Sequence, residues 1–491
     1  QHGTVWAVGE RECSIQRRHQ KIIEEAPSPL VERIPGMRER LFIAARLATR
    51  AIGYAGAGTV EFLADDSPDG TGEFFFLEMN TRLQVEHPVT ELTTRLDLVE
   101  LQLAVADGEK LPEEPPRSVG HSIEARLYAE DPARGWQPQA GAVEHFDVPG
   151  AATQFGLTGA HDAAFAAGAT GIRLDSGIVD GSVVSIHYDP MLAKVISYAP
   201  TRRRAAALLA DALARTRLHG LRTNRDLLVN VLRHPAFLAG HTDTAFFDSH
   251  GLDTLAAPLA GPRAVRLSAI AAALATAAQH RAGARVLAGL PSGWRNLPAG
   301  NQDKAFADAD GTEHRVAYRF SRGELLLPDD PGVTLLAAGP AEVVLADSGV
   351  AVAFRVARYG ERVGGERVGG ERVEVDSPLG SIAFRTVPRF PEPGSVAQQG
   401  SLLAPMPGSV IRLGAGLGDQ VSVGQPLVWL EAMKMEHTIV APADGVIAEL
   451  NVTVGQQVEV GAVLARVEAP DASPAATPAA TGEASAEGEK Q

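Results

Sequence analysis

The sequence Glu-Ala-Met-Lys-Met-Glu occupies residues 431–436 and separates two nearly identical stretches of chain. Residues 408–431 align with residues 445–468 at a constant offset (445 − 408 = 37 and 468 − 431 = 37). Each copy alternates apolar and polar residues between glycines, which is typical of short strands joined by tight turns. The identical pairs are Gly408/Gly445, Leu413/Leu450, Gly418/Gly455, Gln420/Gln457, Val421/Val458, Val423/Val460, Gly424/Gly461, Leu427/Leu464 and Glu431/Glu468.

The duplication predicts a small module of two β-sheets related by a pseudo-twofold axis. Lys434 lies between the copies, so the symmetry places it on a connecting hairpin at one end of the module. Two methionines flank this lysine, and apolar side chains exposed on a short connection usually mark a docking surface. The pattern favours an attachment point over a solvated turn residue.

The Ala-Met-Lys-Met sequence inside its duplicated frame resembles the biotinyl (biotin carboxyl carrier) domain, and the resemblance covers residues 396–470. It implies that Lys434 carries biotin in amide linkage and that a biotin protein ligase attaches it. Lipoyl domains share the frame, but their lysine usually has an Asp-Lys-Ala setting, which Met433 and Met435 do not match. A lipoyl carrier stays an alternative that the mass added at Lys434 would reveal.

Composition and charge limit the other possibilities. The 491 residues predict about three domains, and the composition is that of a soluble globular protein without an apolar run that could span a bilayer. The net charge is −15 with scattered basic residues, which argues against nucleic-acid binding. Cys13 is the single cysteine, which excludes an intrachain disulfide and favours a cytoplasmic location. We expect Cys13 to be a small buried residue.

Two carboxylates in the first part of the chain, Glu61 and Glu78, lie on predicted strands joined by the turn-rich residues 65–72. Such charges about 4 Å apart repel by about 4 kcal/mol at an effective dielectric constant of 20. A divalent cation removes this repulsion, and Asn80 adds a neutral oxygen of the kind that Mg²⁺ accepts. Since Asn80 and Arg82 share its strand, Glu78 is expected to matter more than Glu61. The alternative is that both glutamates lie on exposed polar strand faces.

Residues 78–88, Glu-Met-Asn-Thr-Arg-Leu-Gln-Val-Glu-His-Pro, concentrate charged and amide side chains at the end of a predicted strand. Such a run suits an anionic substrate. The guanidinium of Arg82 can bind a small oxyanion through two N–H groups, and Glu86 can accept its proton.

This run closely resembles the ATP-grasp biotin carboxylases, as do residues 14–21 (Ser-Ile-Gln-Arg-Arg-His-Gln-Lys) and residues 123–126 (Ile-Glu-Ala-Arg) ahead of 129–132 (Ala-Glu-Asp-Pro). The resemblance covers residues 1–250. It implies that Mg²⁺ or Mn²⁺ and ATP bind here, that bicarbonate is activated, and that biotin is carboxylated. The implied roles are metal binding for Glu61, Glu78 and Asn80; phosphoryl contact for Lys21; nucleotide binding for Gln16 and His19; bicarbonate binding for Arg82, Gln84 and the Val85 amide; proton abstraction for Glu86; and stabilisation of the biotin enolate for Arg126.

Two of these residues have simpler alternatives. His19 can be a packed histidine, and Arg126 can serve only as an ion-pair partner of Glu124 or Glu130. The region also departs from the family at one point, because no glycine cluster followed by a lysine occurs in the sequence to cover the ATP phosphates. Together with a start inside an apparent strand at residues 4–8, this leads us to expect an N-terminally truncated enzyme that carries biotin without carboxylating it.

Residues 255–395 comprise one predicted helix followed by strands. They lie where α subunits of acyl-CoA carboxylases carry a domain that docks the carboxyltransferase β subunit, and residues 284–287 and 291–296 resemble that region. The resemblance implies a hetero-oligomer in which the acyl-CoA meets biotin on the partner subunit. Only about 140 residues are available here, too few for the barrel that pyruvate carboxylase would insert. A plain structural spacer is the alternative.

The expected fold is therefore multidomain, with an α+β ATP-grasp part, a helix with an antiparallel β domain, and an all-β flattened barrel. The expected function is that of the α subunit of an acetyl- or propionyl-CoA type carboxylase, and the alternative is a non-catalytic biotin carrier with a remnant carboxylase half. The expected boundaries are 1–130 (ATP-grasp), 131–253 (carboxylase C-terminal domain), 254–387 (docking domain), 388–399 (linker), 400–469 (biotinyl domain) and 470–491 (disordered tail).

Overall fold

A computed structural model of the chain describes residues 2–17, 19–65, 72–154, 170–290, 293–294, 296–297, 300–360, 362–363, 366–367, 371–390, 400–433 and 435–468. The chain divides into two compact units, Gln1–Pro391 and Glu392–Gln491. Much of the predicted linker 388–399, the whole predicted tail 470–491 and Lys434 lie outside the described residues. Among the described residues, no helix is both long and apolar enough to cross a membrane.

The first 255 residues mix strands and helices, as the sequence predicted. The helices are α1 (Pro29–Arg33), α2 (Met37–Ala51), α3 (His87–Thr94), α4 (Leu98–Ala106), α5 (Arg202–Ala214), α6 (Arg225–Arg233), α7 (Pro235–Ala239), α8 (Phe246–His250) and α9 (Leu252–Leu255), with a 3₁₀ turn at Pro132–Arg134. The strands are β1 (Glu12–Arg17), β2 (Gln20–Ala26), β3 (Thr59–Ala64), β4 (Phe74–Asn80), β5 (His121–Tyr128), β6 (Glu130–Asp131), β7 (Gln137–Pro138), β8 (Gly141–Ala142), β9 (His145–Asp147), β10 (Ala151–Gln154), β11 (Gly171–Ser176), β12 (Val183–Val184), β13 (Met191–Ala199) and β14 (Arg217–His219).

A six-stranded sheet with the order β1-β2-β5-β13-β11-β10 organises this part. Its neighbours run antiparallel except for the parallel pair β10 and β11. β5 lies inside the sheet and is buried along nearly its whole length, although it carries Glu124 and Arg126. Strands from both sides of residue 130 share this sheet. A separate hairpin of β3 and β4 stands beside it.

The next part of the first unit consists of one long helix packed against an antiparallel sheet. The helix α10 (Pro262–Ala282) is rich in alanine and packs against six strands of an eight-stranded sheet with the order β17-β16-β15-β24-β23-β20-β19-β18. Small side chains let the strands approach a helix that is buried on nearly all sides. The eight strands of this sheet are β15 (Gln302–Asp308), β16 (Glu313–Ser321), β17 (Glu324–Leu326), β18 (Val333–Ala338), β19 (Glu342–Asp347), β20 (Val350–Tyr359), β23 (Arg372–Ser377) and β24 (Gly380–Thr386). Two short strands, β21 (Arg362–Val363) and β22 (Glu366–Arg367), form a separate hairpin between β20 and β23 in the chain.

The second unit contains two four-stranded sheets, β25-β32-β30-β27 and β29-β28-β26-β31. The predicted duplication is present, because β26, β27 and β28 recur as β30, β31 and β32 with starts 37 residues later. Gly418 and Gly455 occupy equivalent turns at φ 85° and 87°, a region that favours glycine. The strands are β25 (Ser401–Leu403), β26 (Gly408–Leu413), β27 (Gln420–Val421), β28 (Pro426–Ala432), β29 (Met435–Val440), β30 (Gly445–Leu450), β31 (Gln457–Val458) and β32 (Val463–Glu468).

Candidate active site

Four neighbouring segments of the first unit form the candidate site. They are the hairpin of β1 and β2, the hairpin of β3 and β4, the connection from β4 to α3, and the middle of β5. Helix α3 begins directly after Glu86, with Pro88 in its first turn, where a missing N–H is tolerated. Every residue of α3 after His87 is buried, so the helix anchors the connection that precedes it.

The two predicted metal-binding carboxylates are brought together. Glu61 and Glu78 are direct cross-strand partners in the β3–β4 hairpin. The Asn80 side-chain nitrogen donates to both, at 3.1 Å from Glu61 Oε1 and 2.8 Å from Glu78 Oε1. Glu61 Oε1 also accepts from Lys21 Nζ at 3.2 Å and from Gln84 Nε2 at 2.6 Å. Glu61 therefore lies at the centre of the contacts, whereas Glu78 is exposed.

Glu86 is the buried centre of an ionic cluster. Its Oε1 accepts from Lys21 Nζ at 2.8 Å, and its Oε2 accepts from Arg126 Nη2 at 3.0 Å. The same guanidinium forms an ion pair with Glu24, which is fully buried on β2. Glu86 itself is 2% exposed. Charged groups that are so far from water need partners on several sides, and the cluster supplies them.

The cluster holds Glu86 in its ionised form. Burial alone would raise the pKa of Glu86, but the positive charges of Arg11 and Lys21 outweigh it and lower the pKa to about 2. Burial would likewise lower the pKa of Lys21, but the negative charges of Glu86 and Glu61 outweigh it and raise that pKa. At neutral pH Glu86 is therefore a carboxylate and Lys21 an ammonium group. This is the protonation state in which Glu86 can accept a proton and Lys21 can contact a phosphate.

Two further buried carboxylates, Glu24 and Glu124, surround Arg126, and neither was predicted from the sequence to belong to the site. Burial raises the pKa of Glu24 and raises that of Glu124 well above its usual range, although Arg126 and a neighbouring lysine act in the opposite direction. Arg126 therefore faces three glutamates, including Glu86. The alternative that Arg126 pairs only with Glu124 or Glu130 is wrong, because Arg126 also forms an ion pair with Glu86 of the candidate site.

Side chains outside the motifs fix the residues predicted to bind bicarbonate. Arg11 Nη2 donates to Gln84 Oε1 at 2.8 Å, and because guanidinium has no acceptor, this contact turns the Gln84 amide nitrogen toward Glu61. Lys194 Nζ donates to the Val85 carbonyl at 2.9 Å. Neither residue belongs to a recognisable motif. An isolated arginine and an isolated lysine carried no signal that could have found them.

Other predicted residues lie at the edge of the cluster. Arg82 is exposed, and its guanidinium donates to the Leu83 carbonyl at 3.3 Å. Gln16 is opposite Lys21 in the β1–β2 hairpin, and His19 occupies the exposed turn of that hairpin at φ 67°, so it is not a packed histidine. Cys13 was expected to be a small buried residue; it is half-buried, and its Sγ lies 3.8 Å from Glu86 Oε1 at the site.

Lys434 lies outside the described residues, but its chain neighbours are described. β28 ends at Ala432 and β29 begins at Met435, so the two strands pair with only Met433 and Lys434 between them. Met433 has a φ of 50° and is 8% exposed. The side chain of Met433 therefore packs into the module. The expectation that it forms part of an exposed docking surface is wrong.

Three family models match the chain. A carbamoyl-phosphate synthase L chain, ATP-binding domain matches residues 1–114; a biotin carboxylase C-terminal domain matches residues 124–249; and the model of biotin-requiring enzymes matches residues 400–467. The α subunit of methylcrotonoyl-CoA carboxylase from Mus musculus mitochondria is 35% identical over 457 residues, which cover 89% of this chain. The propionyl-CoA carboxylase α chain of Ruegeria pomeroyi is 35% identical over 462 residues, again 89% of this chain.

The chain carries biotin carboxylase and biotin carrier domains of the kind found in biotin-dependent carboxylase α subunits.

The matches cover 59% of the mouse α subunit and 64% of the Ruegeria α chain, so the chain spans about six tenths of the length of these relatives. Among solved structures, the biotin carboxylase domain of the 2-oxoglutarate carboxylase of Hydrogenobacter thermophilus has a TM-score of 0.45 and 38% identity, over 51% of this chain and 50% of that one. The biotin carboxylase subunit of a pyruvate carboxylase has a TM-score of 0.46 and 36% identity, over 52% and 51%. The expected fold class is confirmed, as are ATP and covalent biotin as cofactors.

Proposed function

We propose that this α subunit uses ATP and bicarbonate to carboxylate biotin on Lys434, and that the carboxyl group then passes to an acyl-CoA on a partner carboxyltransferase β subunit. The observation that carries the proposal is the position of Glu86, buried as a carboxylate between Lys21 and Arg126 and next to Glu61 and Gln84. A base, two cations and an anchored amide that are joined by direct hydrogen bonds and ion pairs suit an oxyanion substrate that must lose a proton.

In this arrangement Glu86 takes the proton of bicarbonate, and Gln84, the Val85 amide and Arg82 orient the anion. A bicarbonate oxygen then attacks the γ-phosphorus of ATP, the bond to the β–γ bridging oxygen breaks, and ADP leaves. Lys21 neutralises charge on the transferred phosphoryl group, and Gln16 and His19 lie toward the nucleotide sugar. The resulting carboxyphosphate breaks down to phosphate and carbon dioxide. Positioning and charge neutralisation account for most of the catalysis in such transfers.

The donor set beside Glu86 fits a divalent cation. Among the described residues, no three His, Cys, Asp or Glu side chains come together as a metal site, but the Asn80 side chain lies within hydrogen-bonding distance of both Glu61 and Glu78. Mg²⁺ takes one or two carboxylates, waters and phosphate oxygens, so two glutamates and a rotated Asn80 amide suffice. Such an ion, Mg²⁺ or Mn²⁺, would supply positive charge to the ATP phosphates.

Two residues are proposed to act on biotin. Arg126 would stabilise its enolate, and Lys434 would be its attachment point. Biotin, when attached, supplies the nitrogen that accepts carbon dioxide. Arg126 is fixed by ion pairs with Glu86 and Glu24, so its guanidinium holds a positive charge in a fixed position beside Glu86. We assign the attachment at Lys434 to a biotin protein ligase, because the lysine lies between the two halves of a complete duplicated module.

The proposed docking of a β subunit is supported by apolar side chains that follow α10. Val286, Leu287, Trp294 and Leu297 are each more than half exposed on the connection to β15. An exposed apolar group of this kind typically marks a protein interface. The identity of the acyl-CoA depends on the partner, and the relatives named above are methylcrotonoyl-CoA and propionyl-CoA carboxylases. Residues 291, 292 and 295 of the second predicted docking motif lie outside the described part of the chain.

The test is bicarbonate-dependent ATP hydrolysis with added biotin. It is measured for a chimera that adds the N-terminal part of a longer relative and, in parallel, for this chain alone, for which we expect no turnover because its sequence has no glycine cluster followed by a lysine to cover the ATP phosphates. Glu86→Gln should lower the rate about 10²- to 10⁴-fold, the usual contribution of a general base. Glu25→Gln is the matched control, because Glu25 is equally buried and paired with an arginine, Arg202. The control should change the rate less than about threefold. Equal losses in both variants, or hydrolysis independent of bicarbonate, would contradict the proposal and favour a biotin carrier without carboxylase activity.

A further inference from the structure

The Val85 carbonyl is held by a lysine from a distant part of the chain. Lys194 on β13 donates to it at 2.9 Å. In the six-stranded sheet, Lys194 is the cross-strand partner of Arg126 on β5 and of Asp175 on β11. Cross-strand partners point to the same face of a sheet. Arg126 and Lys194 therefore stand side by side and contact consecutive residues, Glu86 and Val85.

Lys194 is itself fixed by a chain of buried ion pairs. Its Nζ lies 3.2 Å from Asp175 Oδ2, and Arg173 donates to both Asp175 oxygens at 2.8 and 2.9 Å. Arg173 also donates to Glu91 Oε2 at 2.8 Å. Glu91, Arg173 and Asp175 are between 2% and 5% exposed.

These contacts close a ring around the segment that precedes α3. Glu91 belongs to α3, five residues after Glu86, and the ring runs from α3 through Arg173, Asp175 and Lys194 back to Val85. The helix and the connection before it are thus fixed to the same sheet at both ends. Glu91 Oε1 additionally accepts the backbone N–H of Leu98, which ties the start of α4 to the ring.

We propose that Lys194 is a positioning residue for bicarbonate, which acts by fixing the Val85 peptide between Gln84 and Glu86. This inference rests on the proposed function, since it takes residues 84–86 as the bicarbonate-binding segment. Lys194 itself touches a backbone carbonyl and a carboxylate, so its effect passes through Val85. Misplacement of a substrate-positioning segment by about 1 Å is enough to weaken its function substantially.

The chain offers a close control for the loss of a buried cation. Arg202 donates to the Phe237 carbonyl at 2.5 Å and to both Glu25 oxygens, and its side chain is 13% exposed against 11% for Lys194. Both cations thus bind one backbone carbonyl and one carboxylate at similar burial. Arg202 contacts neither α3 nor residues 84–86 in its described bonds.

The experiment measures bicarbonate affinity of the whole 491-residue chain from the line width of ¹³C-labelled bicarbonate, alongside the melting temperature. Lys194→Met should weaken bicarbonate binding about tenfold, as expected for loss of a charged hydrogen bond. Lys194→Arg, which keeps a donor and a charge, should restore affinity to within about twofold of wild type. Arg202→Met should lower the melting temperature as much as Lys194→Met and leave bicarbonate affinity within about twofold.

The outcomes separate the two proposals. If wild type binds bicarbonate and Lys194→Met binds it equally well, the positioning role is wrong and the proposed function stands. If Arg202→Met weakens bicarbonate binding as much as Lys194→Met, the effect is a general loss of stability and the positioning role is again wrong. If wild type does not bind bicarbonate, the proposed function fails and the positioning role fails with it. Should Lys194→Met not fold, Lys194→Gln replaces it with the same expectation, because its amide is too short to reach both partners.

Discussion

The first unit and the second unit use charge in opposite ways. In the first unit, Glu24, Glu124 and Arg126 on the six-stranded sheet and Glu86 on the adjoining connection are almost without exposure to water. In the second unit, every buried side chain among the described residues 400–433 and 435–468 is apolar. A buried ionic cluster is unfavourable unless it is fully paired, so it indicates chemistry at that place. An apolar core, together with a lysine in the short connection between β28 and β29, is what we expect of a carrier domain.

The largest effect is expected at Lys434 in the second unit, where a substitution should remove the biotinyl group completely. Lys434→Arg should abolish addition of one biotinyl group in biotin-fed cells, because arginine cannot form the amide. Intact mass spectrometry of wild type and variant measures it. A biotin adduct that survives the substitution would remove Lys434 from the account, and a lipoyl mass on wild type would identify a lipoyl carrier.

The two carboxylates proposed to bind the metal ion, Glu61 and Glu78, are expected to differ in their effect on Mg-ATP binding. Glu61→Gln should weaken Mg-ATP binding about tenfold or more, and Glu78→Gln should weaken it less, because Glu61 Oε1 accepts from three donors whereas Glu78 is exposed. Isothermal titration with and without Mg²⁺ measures both. Unchanged affinity in both variants would make them ordinary surface carboxylates.

The buried carboxylate of Glu130 should also make the stability of the first unit depend on pH. Burial raises the pKa of Glu130 to about 7 from its usual 4.5, although Arg17 acts in the opposite direction. The folded state therefore binds this proton more tightly, so the contribution of Glu130 to stability is full below pH 4.5 and is lost as pH rises through 7. At one pKa unit per 1.4 kcal/mol the loss is about 3 kcal/mol. Denaturant unfolding from pH 4.5 to 8 should show a smaller decline for Glu130→Gln, and parallel curves would contradict the assignment.

The smallest effect is expected for a charge on the surface of the carrier. The Arg412 guanidinium lies 3.8 Å from the centroid of the Trp429 ring. Arg412→Met should lower the free energy of unfolding of the second unit by about 0.5–1 kcal/mol, the usual value of an exposed cation–π contact. Hydrogen exchange in β28 measures it. A loss as large as that at Glu130 would show that charge matters in both units alike.

The sequence predicted much of the architecture because periodic patterns report local structure. The 37-residue duplication appears as two equivalent sets of strands, and the helix predicted within residues 255–395 is α10, Pro262–Ala282. Cross-strand pairing of Glu61 and Glu78 also followed from a short hairpin. Each of these depends on contacts close in sequence.

Contacts between distant parts of the chain were not predictable in this way. Arg11, Glu24 and Lys194 reach the site only through the strand order of the six-stranded sheet. From the sequence we expected Glu78 to matter more than Glu61 for metal binding, whereas the structure leads us to predict the reverse, because Lys21 and Gln84 contact Glu61. Burial of Met433 likewise depends on how the module closes. Side-chain environment is a tertiary property, and a single sequence carries little of it.

The central claim is that the cluster around Glu86 activates bicarbonate toward ATP. The most direct test uses bicarbonate labelled with ¹⁸O, with the chimera described above, and analyses the phosphate released. If bicarbonate attacks the γ-phosphorus, its oxygen stays on phosphorus, so the account predicts one ¹⁸O atom in phosphate for wild type and none above background for Glu86→Gln. Phosphate from wild type that carries only oxygen from water would contradict the account.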